Sequence, residues 1–194
     1  MCSTGTTTQM IKVYDNVIPD NICQELIEFF ELNRDNQEYI NHNNCPCFTQ
    51  LNLNQVSVNL VRSLIPYLTT VYNTYKEDVK AKFAPKIKDL EEFRIKRYIV
   101  NGNERFDLHI DANDNNSCIR AVAFLFYLND NDGMTVFPFH GINIKPTKGS
   151  VLIFPPTWEY PHSGLPPSDC VKYIMSTYIH YGDSRIRHFQ HEEI

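Results

Sequence analysis

The chain has 194 residues, 42% of them hydrophobic and 12% aromatic, with a formal net charge of −5. That length and apolar content fit a single domain, residues 1–194, with a sizeable core. The acidic balance offers no bulk attraction to nucleic acid or an anionic membrane, so neither is expected as a partner. No run of about 18 apolar residues occurs, so no membrane span is expected. The polar opening at residues 1–8 lacks the apolar stretch of a secretory signal. Six cysteines, at positions 2, 23, 45, 47, 118 and 170, are then read as free thiols in a reducing, cytoplasmic setting. Cys45-Pro46-Cys47 has one intervening residue, too few for a zinc hook.

In chain order, residues 1–10 are read as a mobile end, and residues 11–17 as a short strand with Ile11 and Val13 alternating with Lys12. Asp20 is placed to cap a helix over 20–32, whose Ile22, Leu26, Ile27 and Phe30 recur at helical spacing. The asparagine-rich segment 33–46 reads as a loop, and 48–53 as an edge strand. Leu60, Val61, Leu64, Leu68, Val71, Tyr72, Tyr75 and Val79 mark a helix over 56–82, with Pro66 expected to kink or split it. The lysines at 76, 80, 82, 86 and 88 read as a solvated face and loop, and 84–89 as a linker. From residue 92 the period becomes two. Eight strand-like runs follow, over 92–100, 106–111, 119–129, 134–137, 142–145, 151–154, 162–165 and 172–181. Eight strands with turns at short spacing predict a mainly β jelly roll over 92–181, buttressed by the helices of 1–91 and followed by a tail at 182–194.

Within those strands His109 and Asp111 are two apart, so an imidazole and a carboxylate share one face. A second histidine opens His162-Ser163-Gly164-Leu165-Pro166, and Lys172 follows ten residues later on another apolar strand. Two histidines and one carboxylate with open positions are the ligand set of non-haem Fe(II) oxygenases. A lysine beside such a site can hold the far carboxylate of a dicarboxylic co-substrate.

This order of motifs resembles the prolyl 4-hydroxylase-like branch of the Fe(II)/2-oxoglutarate-dependent dioxygenases. The resemblance runs from about residue 92 to 181 and includes Arg120, Tyr127-Leu128-Asn129 and Gly133-Met134-Thr135-Val136-Phe137. It implies a double-stranded β-helix with the metal at one open end, Fe(II) on His109, Asp111 and His162, and 2-oxoglutarate and O2 in the remaining positions. His162 is expected on the sheet facing His109. Lys172 would meet the distal carboxylate, and Tyr98, Tyr127 and Thr135 match positions that line the co-substrate. The implied reaction hydroxylates a C–H bond and decarboxylates 2-oxoglutarate to succinate, with ascorbate as the reductant. The implied substrate is a proline in a peptide or protein, entering over the polar stretch 111–118. Trp158, Tyr160 and Phe139 stand near the expected mouth, as substrate contacts or as core and loop anchors.

Three departures from the family pattern stand out. Tyr98 lies one residue further than usual from His109, Asp132 replaces the first glycine of a Gly-Gly pair, and Tyr173 replaces the usual tryptophan. Asp107 shares the face of His109 but matches no ligand position, and reads as a solvated or supporting carboxylate. His140 and His180 fall outside the motif, and the His188/His191 pair is read as incidental. The rival readings are a non-catalytic jelly-roll binding protein with a residual metal site and an oxygenase acting on another small molecule or amino acid. An oxygenase of nucleic-acid bases is disfavoured, because Arg185 and Arg187 lie too far beyond His162. Oligomeric state is not legible.

Overall fold

The structure is a computed structural model that describes residues 10–42, 46–100 and 102–182. The readings made for residues 1–9, Cys45 and 183–194, including Arg185, Arg187, His188 and His191, lie outside these residues. The elements run β1 (Lys12–Tyr14), α1 (Asp20–Leu32), β2 (Gln37–Asn41), β3 (Cys47–Asn52), α2 (Leu53–Val56), α3 (Val58–Asp78), β4 (Arg94–Tyr98), β5 (Phe106–His109) and β6 (Arg120–Tyr127). They continue with β7 (Thr135–Phe137), β8 (Ile142–Ile144), β9 (Val151–Phe154), β10 (His162–Gly164) and β11 (Lys172–His180). All pairings are antiparallel. One sheet has the order β1-β9-β6-β11-β4-β3-β2, the other β5-β10-β7-β8. The two make the expected jelly roll, and all eight strand-like runs of the C-terminal half are strands.

Alternation along each strand divides the core in two. On the outer face of the large sheet, Ile95, Phe124, Phe126, Met175 and Ile179 pack with Leu26, Phe30, Leu64, Leu68 and Tyr72 of the helices. On the inner face, Tyr98, Ala123, Tyr127, Leu152 and Ile174 pack with Phe137 of the small sheet. Lys172 and Tyr173 show the rule at single-residue scale. Lys172 points into the barrel, while the Tyr173 hydroxyl donates to Glu31 of α1 at 2.8 Å and its ring meets Phe30 edge-on. Arg97 of β4 donates to the same Glu31 carboxylate at 3.0 Å. The usual tryptophan is thus replaced by a phenol that pins α1 to the sheet.

Four local expectations are corrected. Residues 37–41, read as loop, form strand β2, which pairs with β3 along its length; its polar residues suit a solvent-exposed edge strand. Consequently β3 is not an edge, being flanked by β2 and β4. Asp20 does not cap α1 but begins it, after Pro19, and its carboxylate lies 3.7 Å from Lys148. The long helix breaks at Ser57, whose hydroxyl accepts the N–H of Leu60, and not at Pro66, through which α3 continues. Pro66 is on the exposed face, where the carbonyl it leaves unpaired meets solvent. The described cysteines 23, 47, 118 and 170 are free thiols. Among the described residues no helix is long and apolar enough to cross a membrane.

The entry to α1 is held by the turn before β9. Gly149 accepts the N–H groups of Val17 and Ile18 at 2.8 and 3.0 Å and has φ +77°. A Cβ there would lie 2.5 Å from the Ile18 carbonyl oxygen. Gly149→Ala is therefore expected to destabilise the protein by more than about 1 kcal/mol, through both the left-handed backbone and the clash. Thermal melting of the variant checks this.

Candidate active site

β10 runs antiparallel to β5 with His162 directly opposite His109. His162 is therefore on the neighbouring strand of the same small sheet, not on the facing sheet as expected. The 53-residue separation is spent on β6 to β9, after which the chain returns beside β5. Asp111, two residues beyond the end of β5, folds back between the two rings. Its Oδ1 is 3.2 Å from His109 Nε2 and its Oδ2 3.5 Å from His162 Nε2. One donor atom from each of the three residues lies within 4.8 Å of the others.

Backbone contacts set the tautomers. His109 Nδ1 donates to the Asp107 carbonyl at 2.7 Å, and His162 Nδ1 to the Tyr160 carbonyl at 3.2 Å. A carbonyl only accepts, so each Nδ1 carries the proton and each Nε2 turns a lone pair inward. Such outer hydrogen bonds are how metal-binding histidines are oriented. Ring packing holds the planes. His109 stacks on Phe106 with centroids 3.6 Å apart, and His162 packs against both Phe137 and Phe154, which also touch each other. Burial lowers the His162 pKa against the pull of Asp111. Burial alone would raise Asp111, but His162 and His109 outweigh it and hold the carboxyl well below its ordinary range. Two inward lone pairs and one ionised carboxylate fit a divalent cation with open coordination positions.

Behind Asp111 stands Arg120. It donates to the Asp111 carbonyl at 2.6 Å and to both Glu91 oxygens at 2.6 and 2.7 Å, and its guanidinium lies over the Tyr178 ring at 4.2 Å. Arg94 and His180 also reach Glu91. The neighbouring stretch 111–118 is not loose: Asp114 Oδ1 accepts from Asn116 N, Ser117 N and Ser117 Oγ. Asp107, besides its carbonyl's role, pairs its carboxylate with Arg105.

The cavity floor lies at the other end of β11. Lys172 is 1% exposed, and its Nζ donates to the Gly133 carbonyl at 2.6 Å and faces the Tyr98 ring at 5.2 Å. Burial lowers its pKa to about 7. Ile174, Ser176 and Tyr178 continue the same inner face, as the strand period requires. Thr135 lines the cavity, whereas Tyr127 stands behind it and donates its hydroxyl to Thr135 Oγ1 at 2.8 Å. Tyr98 lines the cavity despite its longer interval to His109. Gly133 has no room for a side chain, since a Cβ would lie 3.0 Å from Lys172 Cδ and from the Leu165 carbonyl oxygen. Asp132 bonds the backbone of Ser168 and Asp169 and so fastens two loops over the lysine. Asn129 joins β6 to β11 by accepting from Tyr173 N and donating to the Val171 carbonyl.

Sequence reasoning missed Glu91 and Lys96. Glu91 precedes the period-two region and matches no motif; only an acid ahead of a basic strand hinted at it. Lys96 matches no motif within its strand-like run, yet it lines the cavity.

Residues 93–180 match a family described as the 2OG-Fe(II) oxygenase superfamily. Together with the donor set, this match places the segment that builds the cavity in that superfamily. The chain is an enzyme of the dioxygenase class, working with Fe(II), 2-oxoglutarate and O2. Solved structures sharing its fold include the viral collagen prolyl hydroxylase of Paramecium Bursaria Chlorella virus-1 with 2-oxoglutarate (TM-score 0.67, 18% identity, 90% of this chain and 98% of that one). A Pseudomonas putida prolyl-4-hydroxylase gives TM-score 0.70 at 13% identity over 89% and 94% of the chains. A Trichoplax adhaerens prolyl hydroxylase with a hypoxia inducible factor peptide gives 0.69 at 14% over 90% and 84%. No curated protein matches the sequence.

The Glu91–Arg120 pair generates a stability prediction. Burial raises the Glu91 pKa, but Arg120 and its other partners bring it down to about 2. A depressed carboxyl stabilises the fold above its unfolded pKa of about 4.3, and that contribution is lost as pH falls toward the folded value. Arg120→Leu is expected to cost on the order of 3 kcal/mol at neutral pH. It should also flatten the decline in stability between pH 4.5 and 2, as read by denaturant titration at several pH values.

Proposed function

We propose that this protein hydroxylates proline within a peptide or a protein loop, with His109, Asp111 and His162 holding Fe(II) and Lys172 holding the distal carboxylate of 2-oxoglutarate. The observation that carries the cofactor assignment is the pairing of a complete donor triad with a buried lysine in one cavity. Lys172 meets only a carbonyl and an aromatic ring in the protein, and a buried ammonium calls for an anion. Thr135 and Tyr98 line the same cavity and are placed to donate their hydroxyls to that carboxylate. Tyr127 contributes through Thr135, orienting its hydroxyl.

When bound, the metal and its co-substrates supply the oxidising power for a C–H bond. The chain's own residues position and protect. The two imidazoles and Asp111 fix three corners of the metal site, and Arg120 holds the backbone of Asp111. Phe106, Phe137 and Phe154 exclude water from the rings. The choice of proline draws support from the motif order and from prolyl hydroxylases that share the fold. Exposed aromatics add to it: Trp158 and Phe139 are 75% and 74% exposed, and the Tyr160 ring stacks on His140. Pyrrolidine rings pack well on such faces, and proline-rich segments bind at low entropic cost. Ascorbate is assigned as the reductant and the cytoplasm as the compartment; nucleic acid is not assigned as a partner. The region 1–91 is assigned to support and 92–181 to catalysis, within one domain.

Incubation with Fe(II), 2-oxoglutarate, ascorbate and a panel of proline peptides should add one oxygen to proline, read by mass spectrometry. Reaction of free amino acids with peptides untouched would instead favour a small-molecule oxygenase. His109→Ala and His162→Ala should each lose bound iron and turnover while circular dichroism stays that of the folded protein. Iron retained at full stoichiometry in His162→Ala would remove it from the ligand set.

The lysine makes a pH prediction. Its folded pKa of about 7 lies below the ordinary value of about 10.4, so it is mostly neutral above pH 7 until an anion binds. Binding 2-oxoglutarate then takes up a proton, and affinity falls as pH rises above 7. Calorimetry in buffers of different ionisation heat should show that uptake in the wild type and none in Lys172→Met.

A further inference from the structure

A second lysine enters the same cavity. Lys96 lies on β4 two residues from Tyr98 and opposite Ile174 of β11, so it shares the inner face with both. Its ammonium sits over the Phe48 ring at 5.2 Å. Among the described residues no carboxylate forms an ion pair with it. Other charges at this end of the barrel are already matched. Arg94 and Arg120 are taken by Glu91 and Glu92, and His180 by Glu91. Asp111, which attracts Lys96 from a distance, is committed between two imidazoles. Lys96 is half-buried, whereas Lys172 on the floor is buried, so Lys96 stands on the wall between floor and opening.

Charge counting indicates what it meets. Fe(II) and doubly ionised 2-oxoglutarate cancel, and Asp111 offsets one lysine. One positive charge is left over on the substrate side of the cavity, beside an apolar ring where a counter-anion is worth more than in water. We propose that Lys96 is a specificity-determining residue that binds a carboxylate of the substrate, either an acidic side chain next to the hydroxylated residue or a free C-terminus. This rests on the assignment of the cavity as the 2-oxoglutarate and substrate site.

The test uses short proline peptides that differ only in Glu or Gln beside the proline, and in a free or amidated C-terminus. Affinity is measured by calorimetry on the anaerobic Fe(II)–2-oxoglutarate protein, and hydroxylation by mass spectrometry. In at least one pair the acidic member should bind about tenfold more tightly. Lys96→Met should abolish the difference and Lys96→Arg should keep it, with 2-oxoglutarate affinity in both within about twofold of wild type, and Lys96→Glu should reverse it. Melting temperatures confirm that each variant folds. Equal affinity across every pair overturns the proposal. So does a loss of 2-oxoglutarate binding in Lys96→Met as large as that in Lys172→Met, which would assign Lys96 to the co-substrate. Alanine-for-proline versions of the acidic peptides separate this from the prolyl reading. If they bind with the same dependence on Lys96 and no peptide gains oxygen on proline, the carboxylate site stands and the proline assignment falls.

Discussion

The site depends on one strand pairing, that of β10 with β5. It places two imidazoles side by side across a ladder, tilted by 53° with centroids 4.3 Å apart, where the separation is fixed by backbone hydrogen bonds rather than by side-chain flexibility. The register shifts between His162 and Gly164, and such bulges re-aim side chains at barrel rims. With the rings set, Asp111 needs only to turn back from the strand end, and Arg120 fixes its backbone from the next element. The large sheet then serves as a wall that carries two charges into one cavity, Lys172 buried and Lys96 half-buried.

That wall is electrostatically lopsided, and deliberately placed polar groups explain why it tolerates this. A lone buried cation is unfavourable in a medium of low dielectric constant. Here the two lysines share their cavity with aromatic faces, Tyr98 and Phe48, which soften the cost without neutralising it. Glu91, Arg94, Arg120 and His180 form a separate and self-satisfied group at the rim. The result is a cavity whose residual charge is available to incoming anions and a rim that is not.

Much of this was legible in the sequence, and for identifiable reasons. His109, Asp111, His162 and Lys172 could be found because strand periodicity ties spacing to face, and because their order is itself a pattern. The eight strands of the C-terminal half were legible for the same reason. What was hidden is what depends on pairing across distance. Strand β2 is too polar to show a buried face, because as an edge strand it has little to bury. Nothing local in His162 says whether its strand faces β5 or adjoins it. Pro66 does not split α3, because it lies on the exposed face, a placement that spacing around the proline does not show by itself. Lys96 matches no motif, and only the pairing of β4 reveals it: Ile95 and Arg97 face the helices, which leaves the cavity for the residue between them.

The opposite orientations of Lys172 and Tyr173 carry a consequence for how the chain reaches this state. A slip of β11 by one residue would turn the ammonium out against Phe30 and α1 and bring the phenol into the cavity. Glu31 would lose its phenol, Arg97 would be left as its sheet partner, and the Gly133 carbonyl would lose its donor. Both faces would be penalised together, so a misaligned intermediate has no compensating refuge. The residue that lines the cavity and the residue that fastens the helix jointly proofread the assembly of the central strand.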